Sequence, residues 1–180
     1  MASFYAFSTE NWKRPKEEID ALFSMMKQYL KNTETELLNN DIKLNVLGRR
    51  EGLPLDLIES IKKAEELTKS CKSHTVNLMI NYGSRAEICD AFNKAIKEGE
   101  TFIDEKKLSD YLYTAYMPDP DIIVRTGGDM RLSNFMLYQG AYSELIFTNY
   151  YWPEINKMRI KEILDEFSKR KRRFGALDNK

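Results

Sequence analysis

Val76-Asn77-Leu78-Met79-Ile80-Asn81-Tyr82-Gly83-Ser84-Arg85 is the stretch whose reading decides the fold. Val76, Leu78 and Ile80 alternate as a strand does, and the run stops at Asn81-Tyr82-Gly83. Ile88, Ala91, Phe92, Ala95 and Ile96 then recur at helical spacing as far as Gly99. A strand handing straight over to a helix is the unit from which α/β proteins are built.

The same alternation repeats on both sides. Upstream, Ser3 to Phe7 reads as a short aromatic strand running into Ser8-Thr9-Glu10-Asn11. A helix follows Pro15, with Ile19, Leu22, Phe23, Met26 and Leu30 on one face and Glu17, Glu18 and Asp20 in its first turn. Asp41 to Leu47 is a strand closed by Gly48, and Leu57, Ile58, Ile61, Ala64 and Leu67 mark another helix. Downstream, Leu108 to Tyr113 reads as a short helix before Pro118, and Ile122-Ile123-Val124 as a buried strand ending at Arg125-Thr126-Gly127-Gly128. Leu145-Ile146-Phe147 is the last strand, and Ile160, Ile163, Leu164 and Phe167 lie along a closing helix. The expected fold is α/β, with a mainly parallel central sheet flanked by helices, in a single domain over residues 1–180.

Composition narrows the function classes. A formal net charge of +0 argues against a general nucleic-acid binder. No apolar run approaches membrane-spanning length and Met1 opens no leader-like pattern, so a cytoplasmic location is expected. The only histidine is His74, which excludes most histidine triads and multi-histidine metal sites. Cys71 and Cys89 have no metal-ligand spacing. From Lys157 to Arg173, eight Lys or Arg face Glu162, Asp165 and Glu166. That run reads as a helix end complementing its dipole, or as a basic edge facing a diphosphate or an anionic membrane surface.

Ligands of such folds sit beyond the carboxyl ends of the strands. Three polar clusters fall there: Ser8 to Arg14, Asn81 to Arg85, and Arg125 to Asn134. In Arg125-Thr126-Gly127-Gly128-Asp129-Met130-Arg131-Leu132-Ser133-Asn134, the glycines permit a tight turn and a close backbone approach to a ligand. The arginines are planar forks suited to phosphate oxygens, and a helix starting at Ser133 would add free N–H groups. The plainer reading is a surface turn whose arginines pair with local acids such as Asp129. In Ser8-Thr9-Glu10-Asn11-Trp12-Lys13-Arg14-Pro15, Arg14 could bind phosphate and Trp12 shield an apolar ligand, or the segment could simply cap a helix and pack an indole. Glu144 is either a surface charge or one arm of a Mg2+ site completed by substrate phosphates.

Taken together, these segments resemble the cis-prenyltransferases of the undecaprenyl diphosphate synthase type. The resemblance runs from Tyr5-Ala6-Phe7-Ser8-Thr9-Glu10-Asn11-Trp12-Lys13-Arg14-Pro15 through Asn81-Tyr82-Gly83-Ser84-Arg85. It continues with Asp121 to Asp129, Arg131-Leu132-Ser133-Asn134-Phe135, Tyr142-Ser143-Glu144-Leu145, Phe147, Trp152-Pro153 and Arg172-Arg173-Phe174-Gly175. The family condenses isopentenyl diphosphate onto an allylic diphosphate with cis geometry. By resemblance, Arg125, Arg131, Leu132 and Ser133 would hold isopentenyl diphosphate, and Glu144 would bind Mg2+. Ser8, Thr9, Glu10, Trp12 and Arg14 would line the substrate site, and Asn11 occupies the position given the proton-acceptor role. A carboxamide is a poor base, so Asn11 is expected to orient substrate or relay a proton to a diphosphate oxygen. The helix bearing Leu22, Phe23 and Met26 is expected to wall a tunnel for the growing chain.

The family's Asp-Gly-Asn-Gly-Arg-Trp loop, source of its principal metal-binding aspartate, does not occur in these residues. Met130 stands where relatives often have histidine, and Tyr138 where they often have tryptophan. An N-terminally truncated domain, lacking its first strand, diphosphate loop and helix and weak or inactive alone, is therefore expected. The alternatives are a non-catalytic homologous subunit that binds a catalytic partner and, more remotely, a generic phosphate-binding module. The resemblance further implies a homodimer with peripheral membrane contact through its lipid product.

Overall fold

The structure, a computed structural model, describes residues 1–170. Two compact units divide the chain, Met1–Ala115 and the part from Tyr116 onward. Among the described residues every strand pairing is parallel, as the alternating pattern requires.

In the first unit, β1 (Ala2–Ser8), β2 (Ile42–Leu47) and β3 (His74–Tyr82) form a sheet of order β1-β3-β2. Parallel neighbours need long crossovers. These are α1 (Lys16–Asn39), between β1 and β2, and α2 (Leu55–Thr68), between β2 and β3. Leu44, Val46 and Ile80 join Phe7, Ile19, Phe23, Leu30, Leu57, Ile61 and Ala64 in one apolar core. Each large side chain so buried contributes roughly 1.5–3 kcal/mol. Phe23 is only 4% exposed, so it belongs to this core and does not line an open tunnel; Leu22 and Met26 pack against the same core. The other sheet face carries a polar row. The Asn45 amide donates to Asn77 Oδ1 at 2.9 Å, and the Asn77 amide donates to Ser3 Oγ at 3.0 Å, each across register-paired residues. This satisfies Asn77 in the middle of the sheet, where an unpaired amide would be costly.

Gly48 ends β2 with φ +125, and a Cβ there would lie 2.1 Å from the Ile80 carbonyl oxygen. No other residue fits between β2 and β3 at this point. α3 (Ser84–Lys97) departs from the expected packing. Its apolar residues Phe92 and Ile96 are exposed, while Ser84, Glu87, Ala91 and Ala95 are buried. The helical period holds, but the inward stripe consists of small residues and one carboxylate. α4 (Glu105–Tyr111) is capped by Asp104, whose carboxylate accepts from Lys107 N at 2.7 Å.

In the second unit, β4 (Ile122–Arg125) pairs with β5 (Glu144–Phe147), and α5 (Lys157–Ser168) follows, capped by Asn156. Val124, expected to be buried, is 38% exposed. No helix starts at Ser133: Ser133 and Asn134 have φ of 48° and 66°, which breaks right-handed winding. Arg172-Arg173-Phe174-Gly175 lies outside the described residues. Among the described residues, no helix is long and apolar enough to cross a membrane.

Candidate functional site

At the carboxyl end of the first sheet, β1 runs into a short 3-10 turn, Thr9–Lys13. The Ser8 N–H donates to Asn11 Oδ1 at 2.8 Å, which fixes the carboxamide with its oxygen turned inward. Thr9 Oγ1 donates to Glu10 Oε2 at 3.2 Å, and Arg14 pairs with Glu18 at 2.8 Å on the exposed start of α1. Trp12 is packed. Its ring lies 5.3 Å from Phe7 and 5.5 Å from Phe23, and its indole N–H donates to Asn81 Oδ1 at 2.7 Å. Asn81 in turn donates to the carbonyls of Arg49 at 3.2 Å and Glu51 at 3.0 Å. Three strand ends are thereby tied together by one side chain.

Beneath this end lies a polar network that the sequence did not announce. The Tyr82 hydroxyl donates to Glu87 Oε2 at 2.6 Å, and the Tyr113 N–H donates to Glu87 Oε1 at 2.9 Å. Both Tyr82 and Glu87 are fully buried, so these bonds offset the desolvation of the carboxyl group. Arg49 grips Asp90 through two bonds of 2.7 Å, and the Tyr113 hydroxyl also donates to Asp90. The Arg49 guanidinium holds the Asp90 carboxyl below its ordinary range, and burial pushes the Tyr113 hydroxyl up.

The second polar cluster is built on the turn after β4. The Gly127 N–H donates to the Tyr150 carbonyl at 2.7 Å and the Gly128 N–H to that of Thr148 at 2.8 Å. These two amides brace the turn. With φ of 87° and 82°, the glycines turn the chain back so that Asp129 reaches Arg125. Arg125 Nη1 donates to Ser133 Oγ at 2.7 Å and its Nη2 to Asp129 Oδ2 at 2.8 Å. Arg131 Nη2 donates to the same Asp129 oxygen at 2.6 Å. Arg125, Arg131 and Ser133 are thus gathered around one carboxylate, with Leu132 half-buried between them in sequence. The remaining guanidinium N–H groups suit an anion with several oxygens.

Glu144 does not join this cluster. It begins β5 opposite Ile122, whereas Arg125 ends β4 opposite Phe147. Three residues of strand separate them by roughly 10 Å, and strand alternation turns them to opposite faces. Glu144 Oε2 accepts from Arg170 Nη1 at 3.0 Å, and Arg170 also donates to the Leu145 carbonyl at 2.9 Å and to Glu166 at 2.6 Å. Among the described residues, no group of three or more His, Cys, Asp or Glu could hold a metal ion. A carboxylate committed to an arginine, apart from the group of Arg125, Arg131 and Ser133, does not fit a Mg2+ ligand as it stands. Sequence reasoning missed Arg170, hidden in a basic run, and passed over Asp129 as a mere local acid.

Residues 1–175 match the family model described as "Putative undecaprenyl diphosphate synthase". The chain belongs to the cis-prenyltransferase family. It is 45% identical over 175 residues to the isoprenyl transferase of Fusobacterium nucleatum, covering 97% of this chain and 76% of that protein. It is 44% identical over 179 residues to the tritrans,polycis-undecaprenyl-diphosphate synthase (geranylgeranyl-diphosphate specific) of Thermococcus kodakarensis, covering 95% of this chain and 68% of that one. Among solved structures, a probable undecaprenyl diphosphate synthase from Campylobacter jejuni superposes with a TM-score of 0.88 at 38% identity, covering 96% of this chain and 82% of the other. Lavandulyl diphosphate synthase from Lavandula x intermedia, in complex with dimethylallyl diphosphate, gives 0.91 at 31% identity, covering 96% and 78%. As a cis-prenyltransferase the chain is a transferase of prenyl groups, and the family's products are polyprenyl diphosphates.

Proposed function

We propose that this cis-prenyltransferase condenses isopentenyl diphosphate onto an allylic diphosphate such as farnesyl diphosphate, making an undecaprenyl-type chain for a cell-wall lipid carrier. One observation carries the reading: Arg125, Arg131 and Ser133 meet in a single hydrogen-bonded group on a braced turn. That group would hold isopentenyl diphosphate, with Leu132 fixing the spacing of its neighbours. Ser8, Thr9, Glu10, Trp12 and Arg14 would serve the substrate site, Trp12 through its packed ring and Arg14 through its exposed guanidinium. Asn11 would act as a donor: its oxygen is spent on Ser8 N–H, leaving the amide hydrogens to orient a diphosphate oxygen that takes up the proton. An allylic co-substrate is supported by the dimethylallyl diphosphate held by the lavandulyl enzyme. The resemblance supports a single domain over residues 1–180 and a homodimer with peripheral membrane contact through its lipid product.

Mg2+ is the cofactor implied by the family, with Glu144 its expected ligand; the Arg170 pair stands against that assignment. The same pair is the one observation favouring the alternative, a non-catalytic subunit that binds a catalytic homologue. Titration with isopentenyl diphosphate tests the binding reading, which predicts that R125A and R131A each weaken binding at least tenfold. An assay with farnesyl diphosphate, labelled isopentenyl diphosphate and Mg2+ tests turnover; no long-chain product would favour the non-catalytic alternative.

A further inference from the structure

We infer that Asp129 is a positioning residue for the diphosphate fork, holding the two guanidinium groups in place before the anion arrives. The inference rests on the reading of Arg125, Arg131 and Ser133 as isopentenyl diphosphate ligands, and adds the residue that organises them. Asp129 Oδ2 accepts from Arg125 Nη2 at 2.8 Å and from Arg131 Nη2 at 2.6 Å, so a single oxygen sets the spacing of two cations. Its own backbone is anchored, because the preceding Gly127 and Gly128 amides are bonded to the Tyr150 and Thr148 carbonyls.

The two arginines depend on Asp129 unequally. Arg125 has a second anchor at Ser133 Oγ, 2.7 Å away, and its side chain is 26% exposed. Arg131 is 64% exposed, and Asp129 is its one hydrogen-bond partner among the described residues. Without the carboxylate, Arg131 becomes a long, free cation that must be ordered when ligand binds. Two opposed effects therefore meet at Asp129. As a negative charge beside an anion site, it repels diphosphate, and removing it should tighten binding. As an organiser, it spares the ordering of Arg131, and removing it should weaken binding. The Asp129 side chain is itself 41% exposed, so solvent weakens its repulsion of the anion, while the freedom of the exposed Arg131 side chain remains in full, and the organising effect wins.

The test is calorimetric titration of the full 180-residue chain with isopentenyl diphosphate at fixed pH and ionic strength. Asp129→Ala should weaken binding roughly fivefold, and Asp129→Glu should recover part of that loss. In an Arg131→Ala background, adding Asp129→Ala should change affinity by less than about twofold, because the organised group is gone. Should Asp129→Ala fail to fold by circular dichroism, the isosteric Asp129→Asn carries the same test, with affinity between the two. Affinity equal to or tighter than wild type in the Asp129 variants overturns the inference while leaving the ligand reading intact. A loss that persists undiminished in the Arg131→Ala background also overturns it, since Asp129 would then act through general loop structure. No binding by the wild-type chain overturns the ligand reading and this inference with it.

Discussion

Asn81 Oδ1 accepts the indole N–H of Trp12 at 2.7 Å, joining the carboxyl end of β3 to the turn after β1 across 69 positions of sequence. Asn81 is 5% exposed and has φ 51°, a left-handed conformation that asparagine tolerates better than most residues. Trp12→Phe keeps the ring packing and strands one buried acceptor, at about 1–3 kcal/mol. Asn81→Ala loses the indole bond and both donations to the 49–51 loop, and should cost more than Trp12→Phe. Urea denaturation would measure both; an Asn81→Ala protein as stable as wild type would contradict this account.

Gly48 allows a second prediction. A Cβ there would overlap the Ile80 carbonyl oxygen, and φ of +125° is itself strained for any other residue. Gly48→Ala should cost about 3 kcal/mol or more, whereas Gly99→Ala, where a Cβ meets nothing within 4 Å, should cost only its backbone strain at φ +91. Thermal melts of the two variants make the comparison.

Acid stability should depend on the Arg49–Asp90 pair. The hydrogen bonds from Arg49 lower the folded pKa of Asp90. The unfolded state therefore binds the proton more readily. The pair's contribution is present above the unfolded value of about 3.9 and is lost as pH falls through the depressed folded value. Arg49→Met should lower stability at neutral pH and flatten its dependence in that acid range. At the alkaline end, burial raises Tyr5 to about 12, so its contribution is present below about 10 and lost as pH rises through about 12. Tyr5→Phe should remove that alkaline loss, as followed by denaturation at a series of pH values.

Glu144→Gln separates a latch from a metal ligand. The structure predicts a stability loss of about 1 kcal/mol, because the partly exposed ion pair to Arg170 is weakened, with Mg2+-free binding of isopentenyl diphosphate unchanged. Arg170→Ala should give a similar loss, and the double variant little more than either alone. Losses that simply add would show that the two side chains act independently.

Much of the fold was legible because hydrophobic periodicity is a local property. The strand of Val76, Leu78 and Ile80, the helix of Ile19 to Leu30 and the turn at Gly127-Gly128 all followed from backbone geometry acting on neighbouring residues. The motifs that carry the family resemblance, around Asn11 and Arg125, were likewise readable as contiguous residue types. Which residue each side chain meets was not. Phe23 went to the core instead of a tunnel, and α3 turned Ala91 and Ala95 inward instead of Phe92 and Ile96.

From its sequence alone, then, this chain determined its α/β order, its parallel pairing and its family. Only the tertiary structure decided that Asp129 serves both Arg125 and Arg131, that Glu144 is held by Arg170, and that Asn81 is the clasp of Trp12. The physical reason is reach. Periodicity needs only the residues next in line, whereas an ion pair or a buried hydrogen bond is chosen among groups that come within about 3 Å once strand register and loop curvature are set.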